Sequence, residues 1–132
     1  YLMLLQGTSP LRTSKHIDKA IIHYFKEFKN DDQCTLISCF KVDFKFNWIL
    51  ISNKKKRLKF VLKQKNIKNL QRQNLNNIYL PNGAIYMANI KNFKKTFYGN
   101  KTILFEMLEK ESVDIDSLDD LNKANEYFKR KL

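Results

Sequence analysis

The stretch that decides the fold is YLMLLQGTSPLRTSKHIDKAIIHYFKEF, residues 1–28. It opens with a continuous apolar run at Tyr1–Leu5, which is typical of a strand buried on both faces in a parallel sheet. Gly7-Thr8-Ser9-Pro10 then marks a turn. Beyond it, apolar residues recur at helical spacing, and Thr13 or Ser14 is placed to cap the helix. A strand, a loop and an amphipathic helix make one unit of a doubly wound α/β fold.

The rest of the chain predicts further strands and helices around this unit. The predicted strands are Thr35–Val42, Phe44–Ile51, Leu58–Leu62 and Ala84–Ala88, with Ile103–Leu108 extended or mixed. Asn89–Phe97 favours a short helix, and Ile67–Ile78 gives no firm assignment. Ser117 caps a closing helix through an S-x-x-D pattern. The expected inner side of that helix carries Leu118, Leu121, Ala124, Asn125 and Phe128.

Length and charge limit the class of protein. The 132 residues suffice for one domain, and they carry a formal charge of +12. A basic nucleic-acid-binding module is one alternative, but the lysines are spread along the chain and favour a solvated basic surface. The densest basic run, Lys54–Arg57, is expected at a hairpin tip. Tyr1–Leu5 is too short to span a membrane, so a soluble protein is expected, with no nucleic acid and no membrane as partners.

The two cysteines indicate a reducing compartment. Cys34 and Cys39 are five apart in one predicted strand and therefore point to opposite faces. This disfavours a disulfide between them, and a cytoplasmic location is the natural setting. His16 and His23 have no carboxylate or cysteine partner at ligand spacing, so we expect both to be solvated.

Two carboxylates near the end of the chain are the sharpest candidate for chemistry. In an extended segment Asp114 and Asp116 share one face, while Val113 and Ile115 face the core. Paired carboxylates supply the hard oxygen ligands that Mg²⁺ prefers. The alternative is that they are solvated residues preceding a helix N-terminus, where negative charge is favourable.

Two polar turns complete the candidate site. Gln6 to Ser9 follow the first strand, and ligands of open α/β sheets bind beyond the carboxyl ends of strands. Asn82-Gly83 predicts a hairpin corner, since Gly83 permits a positive φ. Each pattern also occurs in ordinary turns without a ligand.

Three islands, LLQGTSPLR (4–12), NGAIY (82–86) and SVDID (112–116), resemble the acylneuraminate cytidylyltransferase (CMP-sialic acid synthetase) family and occur in its order. The resemblance implies a Rossmann-like α/β nucleotidyltransferase sheet with flanking helices. It also implies a projecting β-hairpin dimerisation element, expected at 39–75 within a single domain spanning 1–132. The family transfers a cytidylyl group from CTP to a nonulosonic sugar, releasing pyrophosphate with Mg²⁺, and it works as a homodimer.

The resemblance also assigns roles to residues of this chain. Asp114 and Asp116 would hold Mg²⁺, and Phe97 and Tyr98 match an aromatic pair that walls the sugar pocket of a neighbouring subunit. The other substrate-binding positions would be Gln6, Ser9, Arg12, Arg72, Gln73, Asn82 and Tyr86. The chain departs from the family at Gly7, where proline is usual, and at Leu80, where arginine is frequent.

The family's triphosphate-cradling loop has no counterpart in the sequence, because no glycine stands in a phosphate-binding pattern. We therefore expect the sugar-side and metal-side portion of such an enzyme, truncated at its N-terminus and without CTP-dependent synthesis of its own. The alternative is a catalytically inactive remnant or an assembly subunit. The motifs are shared by sialic, legionaminic and related acids, so the sugar is not specified.

Overall fold

The computed structural model describes residues 1–62 and 77–130. They fall into two compact units, one comprising Tyr1–Phe40 with Leu80–Leu132 and the other Lys41–Tyr79. In chain order the helices and strands are β1 (Leu2–Leu4), α1 (Ser14–Phe28), β2 (Thr35–Lys41), β3 (Leu50–Ser52), β4 (Leu58–Phe60), β5 (Tyr79–Ala88), β6 (Thr102–Met107) and α2 (Leu118–Lys129).

The first unit is built on a four-stranded mixed sheet in the order β1-β5-β2-β6. β2 runs parallel to β6, whereas β1 runs antiparallel to β5 with Leu4 opposite Tyr86. The expected α/β class is therefore observed. The prediction that β1 is buried on both faces of a parallel sheet is wrong, since β1 ends the strand order and Leu4 is 44% exposed. An apolar run indicates that a strand tends to be buried, but it does not specify which strand it pairs with or whether the pairing is parallel or antiparallel.

Helix α1 covers one face of this sheet, as its apolar spacing predicts. Ala20 and Tyr24 are fully buried and belong to one core cluster with Leu36, Ile85 and Met87. Of the two candidate caps, Thr13 is the N-cap, and its hydroxyl accepts from the backbone N–H of His16. In return, the His16 ring accepts from the backbone N–H of Thr13. The N-terminus of α1, directly after the loop of the candidate site, is thus fixed by reciprocal capping.

Helix α2 begins where the sequence predicts, with Ser117 accepting from the backbone N–H of Asp120. Its predicted inner side is correct only in part. Ala124 is buried in a small cluster with Leu11 and Val113, but Leu118 is 78% exposed. Only a narrow stripe of this helix meets the small cluster beneath it, so its remaining apolar residues stay at the surface.

Two other predictions of secondary structure are corrected. Within the predicted helix Asn89–Phe97, only Ile90–Asn92 forms a short 3₁₀ turn. The predicted strand Phe44–Ile51 starts instead with a 3₁₀ helix at Phe44–Trp48, because the Asp43 carboxylate accepts from the backbone N–H of Lys45 and begins a helical turn. Local side-chain bonding of this kind competes with extended structure.

The second unit contains the expected hairpin. β3 and β4 pair antiparallel with Leu50 opposite Phe60, and the basic run Lys54–Arg57 lies in their connection. The role of residues 39–75 as a projecting dimerisation element stays a prediction. The unassigned segment Ile67–Ile78 lies mostly outside the described residues. In the described parts of the chain, no helix has the length and apolar character that crossing a membrane requires.

Candidate ligand-binding site

Gly83 lies where two of the predicted ligand-binding side chains meet. It is not a hairpin corner, because β5 continues through Asn82 and Gly83, and its φ of +72° is strained for any residue with a Cβ. A Cβ placed on Gly83 would overlap the Oε1 of Gln6 and lie 3.4 Å from the Oδ2 of Asp114. The first and third sequence islands are thus brought together over a glycine of the second.

The loop that carries Gln6 is fastened to β5 by two other predicted site residues. The Nη1 of Arg12 donates to the carbonyl oxygens of Gln6, at 2.8 Å, and of Ala84, at 2.9 Å. The hydroxyl of buried Ser9 donates to the Asn82 carbonyl at 3.3 Å. In this structure Ser9 and Arg12 therefore hold the loop in place, and Gln6 is the side chain that the loop exposes at the site.

The segment that carries Asp114 is fixed against the same loop. The backbone N–H of Ile115 donates to the Thr8 carbonyl at 2.9 Å, and Val113 is buried beside it. Asp114 is half-buried, and its Oδ1 is buried without a hydrogen-bond partner among the described residues. Asp116, by contrast, is exposed, and its backbone N–H donates to the Asp120 carboxylate at the start of α2.

The buried oxygen of Asp114 fits the cation that the resemblance implies. A buried carboxylate oxygen without a donor is unfavourable, and a hard divalent cation satisfies it directly. The described residues contain no group of three or more acidic, histidine or cysteine side chains that could hold a metal. Mg²⁺ commonly uses one or two carboxylates together with substrate phosphates and water.

Asn82 has a different setting from the exposed Gln6. It is 2% exposed, and its side chain bonds to Ser38, Ser112, Met107 and the backbone N–H of Ala84. Binding a sugar through this side chain would require some of these bonds to break.

Tyr86 forms the aromatic part of the site with the predicted pair Phe97 and Tyr98. The Tyr86 and Phe97 ring centroids are 5.1 Å apart, and Tyr98 lies close enough to Tyr86 to contribute to the pKa of its hydroxyl. Burial raises the pKa of Tyr86 from 10.0 to about 12, with smaller contributions from Tyr98 and from the negative charge of Asp114. The pair thus lies against Tyr86 of its own chain, with Tyr98 57% exposed.

The raised pKa of Tyr86 predicts a pH dependence of stability. The folded pKa of about 12 exceeds the ordinary value of 10.0, so the stabilisation is complete below pH 10.0 and is lost as the pH rises towards about 12. We expect the unfolding free energy of Tyr86→Phe to fall less steeply over this interval than that of the unchanged protein. Urea denaturation at a series of pH values between 10 and 12 measures the unfolding free energy, with Tyr127→Phe in α2 as the control. Parallel pH profiles for all three proteins would contradict the prediction.

Sequence reasoning missed several residues of this region. Ser38 is fully buried in β2, and the only signal for it was a polar residue inside an apolar strand. His16 is not solvated as expected, because its Nε2 lies 3.3 Å from the Glu111 carboxylate and its side chain is only 15% exposed. His23 also has a partner, the Leu104 carbonyl. Arg72 and Gln73 lie outside the described residues, so their predicted roles stay predictions.

Comparison with known proteins gives the same family as the sequence islands. No family model matches the chain. Over 121 residues, however, the chain is 32% identical to the N-acylneuraminate cytidylyltransferases of Streptococcus agalactiae serotypes III and Ia, and 31% identical to that of serotype V. The resemblance to the acylneuraminate cytidylyltransferases is confirmed. The aligned residues make up 89% of this chain but only 28% of each relative. The similarity to the cytidylyltransferases therefore concerns one part of those longer proteins.

Proposed function

We propose that this chain forms the sugar-binding and metal-binding part of a cytidylyltransferase that activates an acylneuraminate-type nonulosonic sugar with CTP. The observation that carries the proposal is the convergence of Gln6 and Asp114 on Gly83. The Gln6 amide, which can both donate and accept hydrogen bonds, thus lies near the Asp114 carboxylate, which has a buried oxygen without a hydrogen-bond partner among the described residues. These groups suit a polyhydroxylated sugar beside a divalent cation.

The roles of the residues follow from their environments. Gln6 would bind sugar hydroxyl groups, and Tyr86 with Phe97 and the exposed Tyr98 would pack against the sugar. Asp114, with Asp116 beside it in sequence, would hold Mg²⁺. When bound, the cation would neutralise charge on the nucleotide phosphates as pyrophosphate leaves. Ser9 and Arg12 would act by keeping the Gln6 loop on β5.

The proposal includes a homodimer that covers the hairpin of the second unit. Leu50 and Leu58 lie on one face of the paired strands and are exposed, Leu58 at 65%. Two-stranded hairpins are marginally stable alone and need an apolar face covered. A second copy of the chain is the proposed cover, and CTP and the sugar are the proposed small-molecule partners.

Sugar binding tests the proposal directly. We expect N-acetylneuraminate to bind to the 132-residue chain in the presence of Mg²⁺. Gln6→Ala should weaken this binding about tenfold, the effect of losing hydrogen bonds worth about 1.4 kcal/mol. Isothermal titration calorimetry or ligand-observed NMR measures the affinity.

The matched control is Gln33→Ala, which removes an exposed glutamine side chain that accepts from the Nζ of Lys101 and takes no part in the convergence of Gln6 and Asp114 on Gly83. It should leave the affinity unchanged. If no acylneuraminate binds with Mg²⁺ present, or if Gln6→Ala and Gln33→Ala have equal effects, the proposed site is wrong. Because binding is measured without CTP, the result does not depend on catalytic turnover.

A further inference from the structure

A buried polar chain runs beneath the candidate site and connects the segments that form it. The hydroxyl of Ser38 donates to the Oδ1 of Asn82 at 2.6 Å, and the Nδ2 of Asn82 donates to the hydroxyl of Ser112 at 2.8 Å. Ser112 in turn donates to the Leu108 carbonyl at 2.8 Å, and Ser38 accepts from the backbone N–H of Ile85 at 2.7 Å. All three side chains are buried.

The hydrogen-bonding capacity of the Asn82 side chain is fully used. Its oxygen accepts from Ser38 and from the backbone N–H of Ala84, and these two bonds occupy both lone pairs. Its nitrogen donates one hydrogen to Ser112 and the other to the Met107 sulfur at 3.4 Å. No donor or acceptor of this amide remains for a ligand.

Asn82 lies between the two segments that carry Gln6 and Asp114, and it is bonded to both. Asn82 precedes Gly83, the residue over which Gln6 and Asp114 meet. Its backbone carbonyl accepts from Ser9 in the Gln6 loop, and its side chain holds Ser112, two residues before Asp114. One residue thus binds both segments to the sheet. Fully satisfied buried networks of this kind favour a single arrangement of the segments they join.

We propose that Asn82 is a positioning residue rather than a sugar ligand, and that with Ser38 and Ser112 it sets the position of Asp114 relative to Gln6. This inference rests on the proposed function for the identity of the ligands, a sugar at Gln6 and a divalent cation at Asp114. The buried network is observed in the structure and does not depend on that function. It differs from the role that the resemblance gives Asn82, since the side chain acts through Gly83 and Ser112 instead of touching the sugar.

Hydrogen exchange tests the positioning without any ligand. The N–H of Ile115, bonded to the Thr8 carbonyl, reports whether the Asp114 segment is docked on the Gln6 loop. Ser112→Ala removes the oxygen acceptor of the Asn82 amide nitrogen and leaves only the weak Met107 sulfur, so we expect the Ile115 N–H to exchange about tenfold faster. Ser38→Ala, which removes the bond on the other side of Asn82, should act in the same direction. Ser112→Thr keeps the hydroxyl and should restore slow exchange.

Mn²⁺ affinity provides the functional readout, measured by electron paramagnetic resonance on protein shown to be folded by circular dichroism. Ser112→Ala should raise the Kd for Mn²⁺ about 10- to 100-fold, the usual effect of losing a residue that orients a ligand. The control is Tyr24→Phe, which removes another buried hydroxyl, bonded to the Cys34 carbonyl, without touching the site. It should change neither Ile115 exchange nor the Kd.

Three results would overturn the inference: unchanged Ile115 exchange in folded Ser112→Ala and Ser38→Ala, no recovery in Ser112→Thr, or an equal effect of Tyr24→Phe. Absence of Mn²⁺ binding to the unchanged protein would instead contradict the proposed function. In that case the exchange rates alone decide whether Asn82 positions the segment. The two failures are therefore distinguishable.

Discussion

Replacing Gly83 with alanine should destabilise the protein by about 1–2 kcal/mol and also displace the side chain of Gln6. The first effect arises because φ at this position is +72°, where a residue with a Cβ is strained. The second arises because the new Cβ overlaps the end of the Gln6 side chain, which is flexible and can move away. Sugar affinity should therefore fall about tenfold, as for loss of the Gln6 side chain itself.

Gly7→Ala is the matched control, because Gly7 has a non-strained φ and an added Cβ would meet no atom of the described residues within 4 Å. It should be neutral, or stabilising by up to about 1 kcal/mol, because alanine reduces the freedom of the unfolded chain. Urea denaturation measures the stability of both variants, and calorimetry measures their sugar affinity. Equal denaturation midpoints for Gly83→Ala and Gly7→Ala would refute the role assigned to Gly83.

Asp114→Asn should weaken Mg²⁺ and Mn²⁺ binding about 100-fold without lowering the stability of the metal-free protein. The loss of affinity is expected because the half-buried carboxylate supplies the hard anionic oxygen, and residues that merely orient ligands already change affinity by about 10- to 100-fold. Stability should be kept because the buried Oδ1 has no hydrogen-bond partner in the described parts of the chain, so the substitution breaks no hydrogen bond of that oxygen.

The control for charge is Asp119→Asn, in the exposed first turn of α2, which removes the same charge five positions along the chain. It should leave the metal affinity unchanged. Asp116→Asn should have a smaller effect than Asp114→Asn, since Asp116 is exposed. Equal metal affinity in Asp114→Asn and Asp119→Asn would exclude Asp114 as a metal ligand.

Local patterns determined much of the fold. The spacing of Ala20 and Tyr24 predicted α1 and its buried face, and Ser117 marked the start of α2. These predictions succeed because helical periodicity and capping depend on neighbours within four residues. The basic run between β3 and β4 likewise marked a hairpin, since four consecutive like charges are best accommodated in a solvated turn.

The pairing of strands that are distant in sequence could not be predicted from such local patterns. Tyr1–Leu5 predicted a strand, but its antiparallel partner is β5, more than seventy residues away. The Asn-Gly pair predicted a positive φ at Gly83 correctly, yet placed it at a hairpin corner instead of within a strand. The φ follows from the missing Cβ, whereas the end of a strand depends on whether neighbouring strands continue beside it.

The sequence by itself determined the helices and their caps, the two carboxylates and the three islands that resemble the cytidylyltransferases. Only the tertiary structure decided that Gln6 and Asp114 meet over Gly83, and that Asp114 is half-buried while Asp116 is exposed. It also decided that the side chain of Asn82 forms its hydrogen bonds with buried groups of the protein. The reason is physical. Helix periodicity and capping act over a few residues, whereas the burial and bonding of a polar side chain depend on which distant strands and loops the folded chain places around it.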